Sequence, residues 1–175
     1  MDIDTRINDT AENLFDTNGF NATGMSRLIQ ATGLSSRTVY KHVASKNALV
    51  ARVLAERQAR FFTVMRFDDI NALFAGLADW TVREGARGCL FFRLQAETGG
   101  QVEAIEAAVA AYHAELHGRI TALVTAALGR ADTHATDQIL ALFEGATTAA
   151  TYRGTSVIEA ARAGAHRLLD LETNP

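Results

Sequence analysis

The stretch Thr32-Gly33-Leu34-Ser35-Ser36-Arg37-Thr38-Val39-Tyr40-Lys41-His42-Val43 decides how the rest of the chain reads. A glycine, a leucine and a serine in succession mark a sharp turn between two short helices. Glycine takes a positive φ without a Cβ clash. The leucine plugs the angle between the helices, and Ser35 can cap the second one. Val39 and Val43, four apart, form that helix's inward stripe. Its other residues, Ser36, Arg37, Thr38, Tyr40, Lys41 and His42, are nearly all hydrogen-bond donors, and none is acidic. Upstream, Thr23 stands as a cap before Met25, Leu28 and Ile29, which predict a short helix ending at Gly33. The spacing over 24–43 is therefore that of a helix-turn-helix, a motif whose second helix enters the major groove of DNA. A face of donors suits a groove lined by phosphates. Lys46, at the start of the next helix, lies where free backbone N–H groups also attract a phosphate.

Charge supports this reading once it is divided along the chain. The net charge of the 175 residues is −3, which alone does not suggest a polyanion partner. Residues 1–66 carry nine Lys/Arg and six Asp/Glu, and 25–66 carry eight basic residues against the single acid Glu56. The rest of the chain is acidic, with eight Lys/Arg and 14 Asp/Glu. A basic segment joined to an acidic one suggests a polyanion-binding module on a body that does not bind polyanions. A solvated helix surface with a chance bias gives the same totals, so residue arrangement has to decide.

The single proline is Pro175, and the single cysteine is Cys89. A chain almost free of the strongest helix breaker, rich in alanine and too sparse in valine, isoleucine and tyrosine to be made of strands, is expected to be all-α. One cysteine excludes an intramolecular disulfide and a multi-cysteine metal site. No apolar run approaches the ~20 residues of a membrane span. The acidic start lacks the features of a signal peptide, so a cytoplasmic protein is expected, with no membrane partner. No glycine-rich phosphate loop or G-x-S-x-G elbow is present, so no enzyme and no cofactor is expected.

About nine helices follow from the periodicity. The first runs from about Asp4 to Asn18, with Ile7, Ala11, Leu14 and Phe15 inward and Gly19 as its C-cap. Ser45 caps a longer helix from Lys46 to about Arg66, with Leu49, Val53, Leu54, Phe61 and Val64 inward. Ile70, Leu73, Phe74, Leu77 and Trp80 form the next stripe, broken by Gly85 and Gly88. Gly88-Cys-Leu-Phe-Phe begins a helix ending near Gly99-Gly100. A long helix spans about 102–128, with Ile105, Val109, Tyr112, Leu116, Ile120, Leu123 and Ala127 inward. Helices at about 133–153 and 155–171, rich in small residues, complete the chain. Small residues let helices approach closely, so these two can pair with their copies as a four-helix bundle, or pack only within the monomer.

Residues 10–54 resemble the DNA-binding domain of TetR-type transcriptional repressors. The resemblance rests on Thr38-Val-Tyr-Lys-His-Val-Ala-Ser-Lys-Asn-Ala-Leu49, with Ala11, Leu14-Phe15 and Gly19-Phe20 upstream and Gly33-Leu34-Ser35 between. It implies an N-terminal three-helix DNA-binding domain over 1–45, a connecting helix over 46–66, and a ligand-binding and dimerisation domain over 67–175. It implies that Tyr40 and Lys46 hold phosphates, that Arg37, Thr38, Lys41 and His42 approach bases or backbone with Ser36 beside them, and that Thr23 and Ser26 touch phosphates. A homodimer through the last two helices, a palindromic double-stranded operator and a small-molecule inducer are the implied partners. Phe62, Phe74, Trp80, Phe91, Phe92, Tyr112 and His113 are candidate pocket residues, although aromatics at helical spacing also simply fill cores. The Gly88-Cys-Leu-Phe stretch resembles a segment in one branch of the family. Cys89 there reads as a sensor thiol or as a small buried hydrophobe. The chain departs from the family pattern at Ile29 (usually alanine), Val43 (often aromatic) and Asn47 (usually Glu). The first two changes offset each other in volume.

A rival constellation is His113-Ala-Glu-Leu-His117, two imidazoles four apart on one helix face. It suggests a metal-dependent helical-bundle enzyme. The carboxylate at its third position points well away from His113, and no further ligands identify themselves in the sequence.

Overall fold

The structure, a computed structural model, describes residues 2–173, with side chains through Asp170. Pro175, on which the composition reading leaned, lies outside the described residues. Among these there are nine helices and no strand: α1 Ile3–Asn18, α2 Met25–Thr32, α3 Ser36–His42, α4 Lys46–Val64, α5 Ile70–Glu84, α6 Leu90–Thr98, α7 Glu103–Leu128, α8 Thr133–Arg153 and α9 Ser156–Thr173. The described residues form two compact units, one of the chain up to Ala59 with Leu90–Ala111, the other of Arg60–Cys89 with the chain from Tyr112 onward.

The first unit gathers α1, α2 and α3 around one apolar core. Ile7, Ala11, Phe15, Leu28, Val39, Val43, Leu49, Val50, Val53 and Leu54 are each at most 3% exposed. Each large side chain buried this completely contributes about 1.5–3 kcal/mol. Gly19 closes α1 at φ +83°, its N–H donating to Phe15 O at 3.0 Å. Gly33 ends α2 in the left-handed conformation at φ 63°, ψ 19°. Ser35 Oγ accepts from Thr38 N at 3.1 Å, and Ser45 Oγ accepts from Ala48 N at 3.0 Å, as the sequence predicts. The cap of α2 is different. Gly24 holds that position with no side-chain bond, while Thr23 is fully buried and its hydroxyl donates to Gly19 O at 2.7 Å. Thr23 ties the α1–α2 turn rather than α2. The buried ends of α6 and α7, including Leu94, Ile105 and Val109, belong to this same unit.

In the second unit α9 packs on both α5 and α8. Leu73, Phe74, Leu77, Leu116, Ile120, Val124, Ile139, Phe143, Ile158 and Ala165 form the core. Asp69 caps α5 and Asp132 caps α8, accepting from Ala72 N and Ala135 N at 2.8 and 2.9 Å. Three expectations shift here. The helix expected to reach Arg66 ends at Val64, which is half-buried, and Met65 beyond it is buried instead. The helix expected from Gly88 starts at Leu90, because Gly85 and Gly88 both hold positive φ. On α7, Ala127 is exposed and Val124 takes the inward place, since the stripe drifts over seven turns of a 3.6-residue helix.

Candidate nucleic-acid interface

Helix α3 presents its polar side to solvent. Ser36, Arg37, Tyr40 and Lys41 are all exposed, and Tyr40 is 54% exposed despite its aromatic ring. At 100° per residue these four positions span about 140° of the helix, one continuous face. Their backs are anchored by Val39, which is fully buried. Among the described residues, the side chains of Arg37, Tyr40 and Lys41 make no hydrogen bond or ion pair with the protein. Two cations and a phenol are thus held at fixed spacing on a short helix with their hydrogen-bonding capacity unspent.

The other basic residues of the segment are largely committed internally. Arg57 Nη1 meets Glu12 Oε1 at 2.7 Å in a nearly dry setting between α4 and α1, the two side chains being 7% and 12% exposed. Arg52 Nη1 reaches Asp4 Oδ1 at 3.1 Å, and its Nε reaches Asn8 Oδ1 at 3.3 Å. Arg27 donates to Asn18 Oδ1 at 3.1 Å. The surplus of charge counted along the sequence therefore narrows, at the surface, to the cations of α3 and their neighbours.

The remaining expected contact residues fall into different settings. Ser26 is exposed on α2. Thr38 is half-buried, its hydroxyl 2.8 Å from Ser35 Oγ, so it finishes the cap. His42 is half-buried, with Nδ1 3.1 Å from Asp4 Oδ2. That hydrogen bond, followed by the attraction of His42 and Arg52, holds the Asp4 carboxyl below its ordinary range. His42 thus links α3 to the first turn of α1. Thr23, being fully buried, offers no surface. Lys46 Nζ donates to Phe20 O at 2.9 Å and sits 3.9 Å from the centre of the Phe20 ring. Burial lowers its pKa, and the nearby Glu97 carboxylate opposes that shift.

Sequence reasoning missed the partners of the α1–α2 turn. Glu97 of α6 accepts from Phe20 N and Asn21 N, both at 2.8 Å, and Asn21 Nδ2 donates to Glu97 O at 3.1 Å. Arg93 donates to Asp16 Oδ1 and Asp16 O at 2.7 and 2.6 Å. A Cβ on Gly19 would lie 2.6 Å from Glu97 Oε2, so this close approach needs a glycine as well as a positive φ. Contacts 76 or 77 residues apart leave no local signal in a single sequence.

The expected pocket residues divide between the units. In the first, Phe91 is buried and Phe92 is 41% exposed. In the second, Phe74 packs near Phe143, with ring centres 6.3 Å apart. Phe61 lies 5.0, 5.1 and 5.5 Å from Phe62, Trp80 and Tyr112, edge to face. These rings pack against one another, a favourable arrangement for aromatic quadrupoles. A cleft of about 350 Å³ in the same unit, floored by Ile70, Leu123 and Leu169 beside Asp68, Asp69 and His166, contains none of the expected lining residues. Cys89 is half-buried. His113 packs against the Tyr112 ring at 5.3 Å, and burial pushes its imidazole below the ordinary value. His117 instead faces Asp137 at 3.8 Å. Among the described residues no group of three or more His, Cys, Asp or Glu is placed to hold a metal ion, so nothing supports the metal-enzyme alternative.

Comparison with known proteins agrees with this geometry. Residues 7–53 match the model for bacterial regulatory proteins of the tetR family. No curated protein matches the chain. Among solved structures, a TetR-family transcriptional regulator from Streptomyces coelicolor superposes with a TM-score of 0.89 at 20% identity, covering 98% of this chain and 96% of the other. The reduced form of NemR from E. coli gives 0.76 at 18% identity, covering 95% and 96%. A TetR transcription regulator from Haloarcula marismortui gives 0.75 at 19%, covering 97% of each. Residues 7–53 thus resemble the N-terminal segment of tetR-family regulatory proteins, and the chain as a whole has the fold of TetR-family transcriptional regulators.

Proposed function

We propose that the chain is a DNA-binding transcriptional repressor that lays α3 in the major groove of a palindromic operator. The observation that carries this reading is the uncommitted donor face of Arg37, Tyr40 and Lys41 on a helix whose back is locked by Val39. Arg37 and Lys41 approach base edges or backbone, Tyr40 and Lys46 grip phosphates, and Ser26 and Ser36 flank them. His42, Thr38 and Thr23 support the same surface by holding α3 and the α1–α2 turn.

The protein acts as a homodimer through α8 and α9. Two half-sites about one DNA turn apart need two reading heads. Exposed small residues on both helices support such pairing, among them Ala141, Gly145, Thr148, Ala160 and Ala163. A small molecule bound in the helical body releases the operator by preferring the conformation that does not fit DNA. Among the described residues no helix is long and apolar enough to cross a membrane, and the cytoplasm is the proposed setting.

The test is a gel shift on DNA from upstream of its own coding sequence, using point variants. Tyr40→Ala should weaken binding to every sequence alike. Arg37→Ala should change which operators are preferred, by about 1–3 kcal/mol at the base it reads. If both variants bind as the parent does, α3 is not the reading helix.

A further inference from the structure

The α1–α2 turn is held from both sides of one residue. The N–H of Phe20 donates to the Glu97 carboxylate, and the carbonyl of Phe20 accepts from Lys46 Nζ. A second amide, Asn21 N, completes the pair on Glu97, and the Asn21 side chain returns a bond to Glu97 O. One turn earlier on α6, Arg93 fixes Asp16, which is itself buried near the end of α1. All of these residues lie in one compact unit. Two backbone N–H groups aimed at one carboxylate form charge-assisted hydrogen bonds, roughly twice as strong as neutral ones. An ammonium docked on a fixed carbonyl and ring has lost most of the rotamer freedom of a free lysine.

We propose that Glu97 is a positioning residue for DNA binding: through the Phe20 peptide it sets where Lys46 presents its charge. The proposal rests on the reading that Lys46 grips a phosphate. Glu97 touches no DNA. It fixes the turn, the turn fixes the carbonyl, and the carbonyl takes one of the three ammonium protons and leaves two for a phosphate. Without Glu97 the turn loosens, and Lys46 must be ordered at the moment of binding.

The experiment is a double-mutant cycle on DNA affinity with Glu97→Ala, Lys46→Ala and both together, in the full chain. Amide hydrogen exchange is measured at Phe20 and Asn21 in the absence of DNA. Glu97→Ala should weaken binding about five- to tenfold for all sequences alike, and exchange at the two amides should speed up by tenfold or more. The double variant should bind no worse than about twofold below Lys46→Ala, because both changes remove one device. Glu97→Gln keeps one acceptor for one amide and should fall between, which also covers a poorly folding alanine variant. A structural role unconnected with Lys46 would give losses that multiply, and that result overturns the proposal. So does a Glu97 variant that binds as tightly as the parent, or more tightly. If the parent protein binds no DNA, the proposed function falls first and this inference with it. If the parent binds and the cycle is additive, only the inference falls.

Discussion

Arg57 and Glu12 join α4 to α1 inside the unit that carries α3, and removing one without the other should unlock it. The pair is 2.7 Å apart, with side chains only 7% and 12% exposed. Arg57→Met deletes the cation and leaves the Glu12 carboxylate in a place from which water is largely excluded. Breaking one side of a buried ion pair costs about 3–5 kcal/mol. For a chain of this size a kcal/mol moves the midpoint by about 2–4 °C, so the melting temperature should fall by roughly 6–20 °C. Arg57→Met/Glu12→Leu removes both charges and supplies apolar volume, and it should restore stability to within about 1 kcal/mol of the parent or exceed it. Urea unfolding followed by circular dichroism measures all three. Because the pair is buried, the difference should persist at high salt, where exposed pairs are screened. A single variant costing less than ~1 kcal/mol, or a double variant as unstable as the single, refutes the view that this pair works as a dry, mutually dependent unit.

Two further expectations concern caps and protonation. Ser35→Ala removes the side-chain acceptor for Thr38 N and should cost about 1 kcal/mol in a urea titration. It should also weaken DNA binding, since α3 is only seven residues long. Glu144 on α8 is pushed up to about 7 from 4.5 by burial. The folded state therefore holds that proton more tightly than the unfolded chain, so the stabilisation is full below about pH 4.5 and is lost as pH rises through about 7. Glu144→Gln should flatten this dependence, making the variant the more stable protein at pH 8. Denaturation midpoints at pH 6 and pH 8 decide it, and equal pH dependence in parent and variant contradicts the assignment.

The sequence made the helices readable because their punctuation is local. Gly19, Gly33 and Gly129 stop helices by positive φ, and Ser35, Ser45 and the periodic apolar stripes start and orient them. The α3 face was readable for the same reason: a seven-residue helix anchored by Val39, with Val43 buried at its C-cap, leaves little choice about what points out. What could not be read was which cations were already engaged. Arg52 and Arg57 look like Arg37 in the sequence, yet their carboxylate partners lie 45 or more residues upstream. His42 and Lys46 likewise make internal bonds, to Asp4 and Phe20, that the sequence does not announce. Thr23 fits a cap pattern, but its hydroxyl donates to the Gly19 carbonyl instead. The attachment of α6 to the first unit is invisible to periodicity, which reports a helix's apolar face and not its neighbour.

The most direct test is fluorescence anisotropy of a labelled DNA fragment from the chain's own upstream region, titrated at several salt concentrations. Two heads each presenting Arg37, Lys41 and Lys46 make about six phosphate-range contacts, so log K should fall against log salt with a slope of roughly −5. Lys41→Ala should reduce that slope by about one per head. No binding at submicromolar protein and low salt, or binding whose slope does not respond to Lys41→Ala, contradicts the assignment of α3 as the surface that grips DNA.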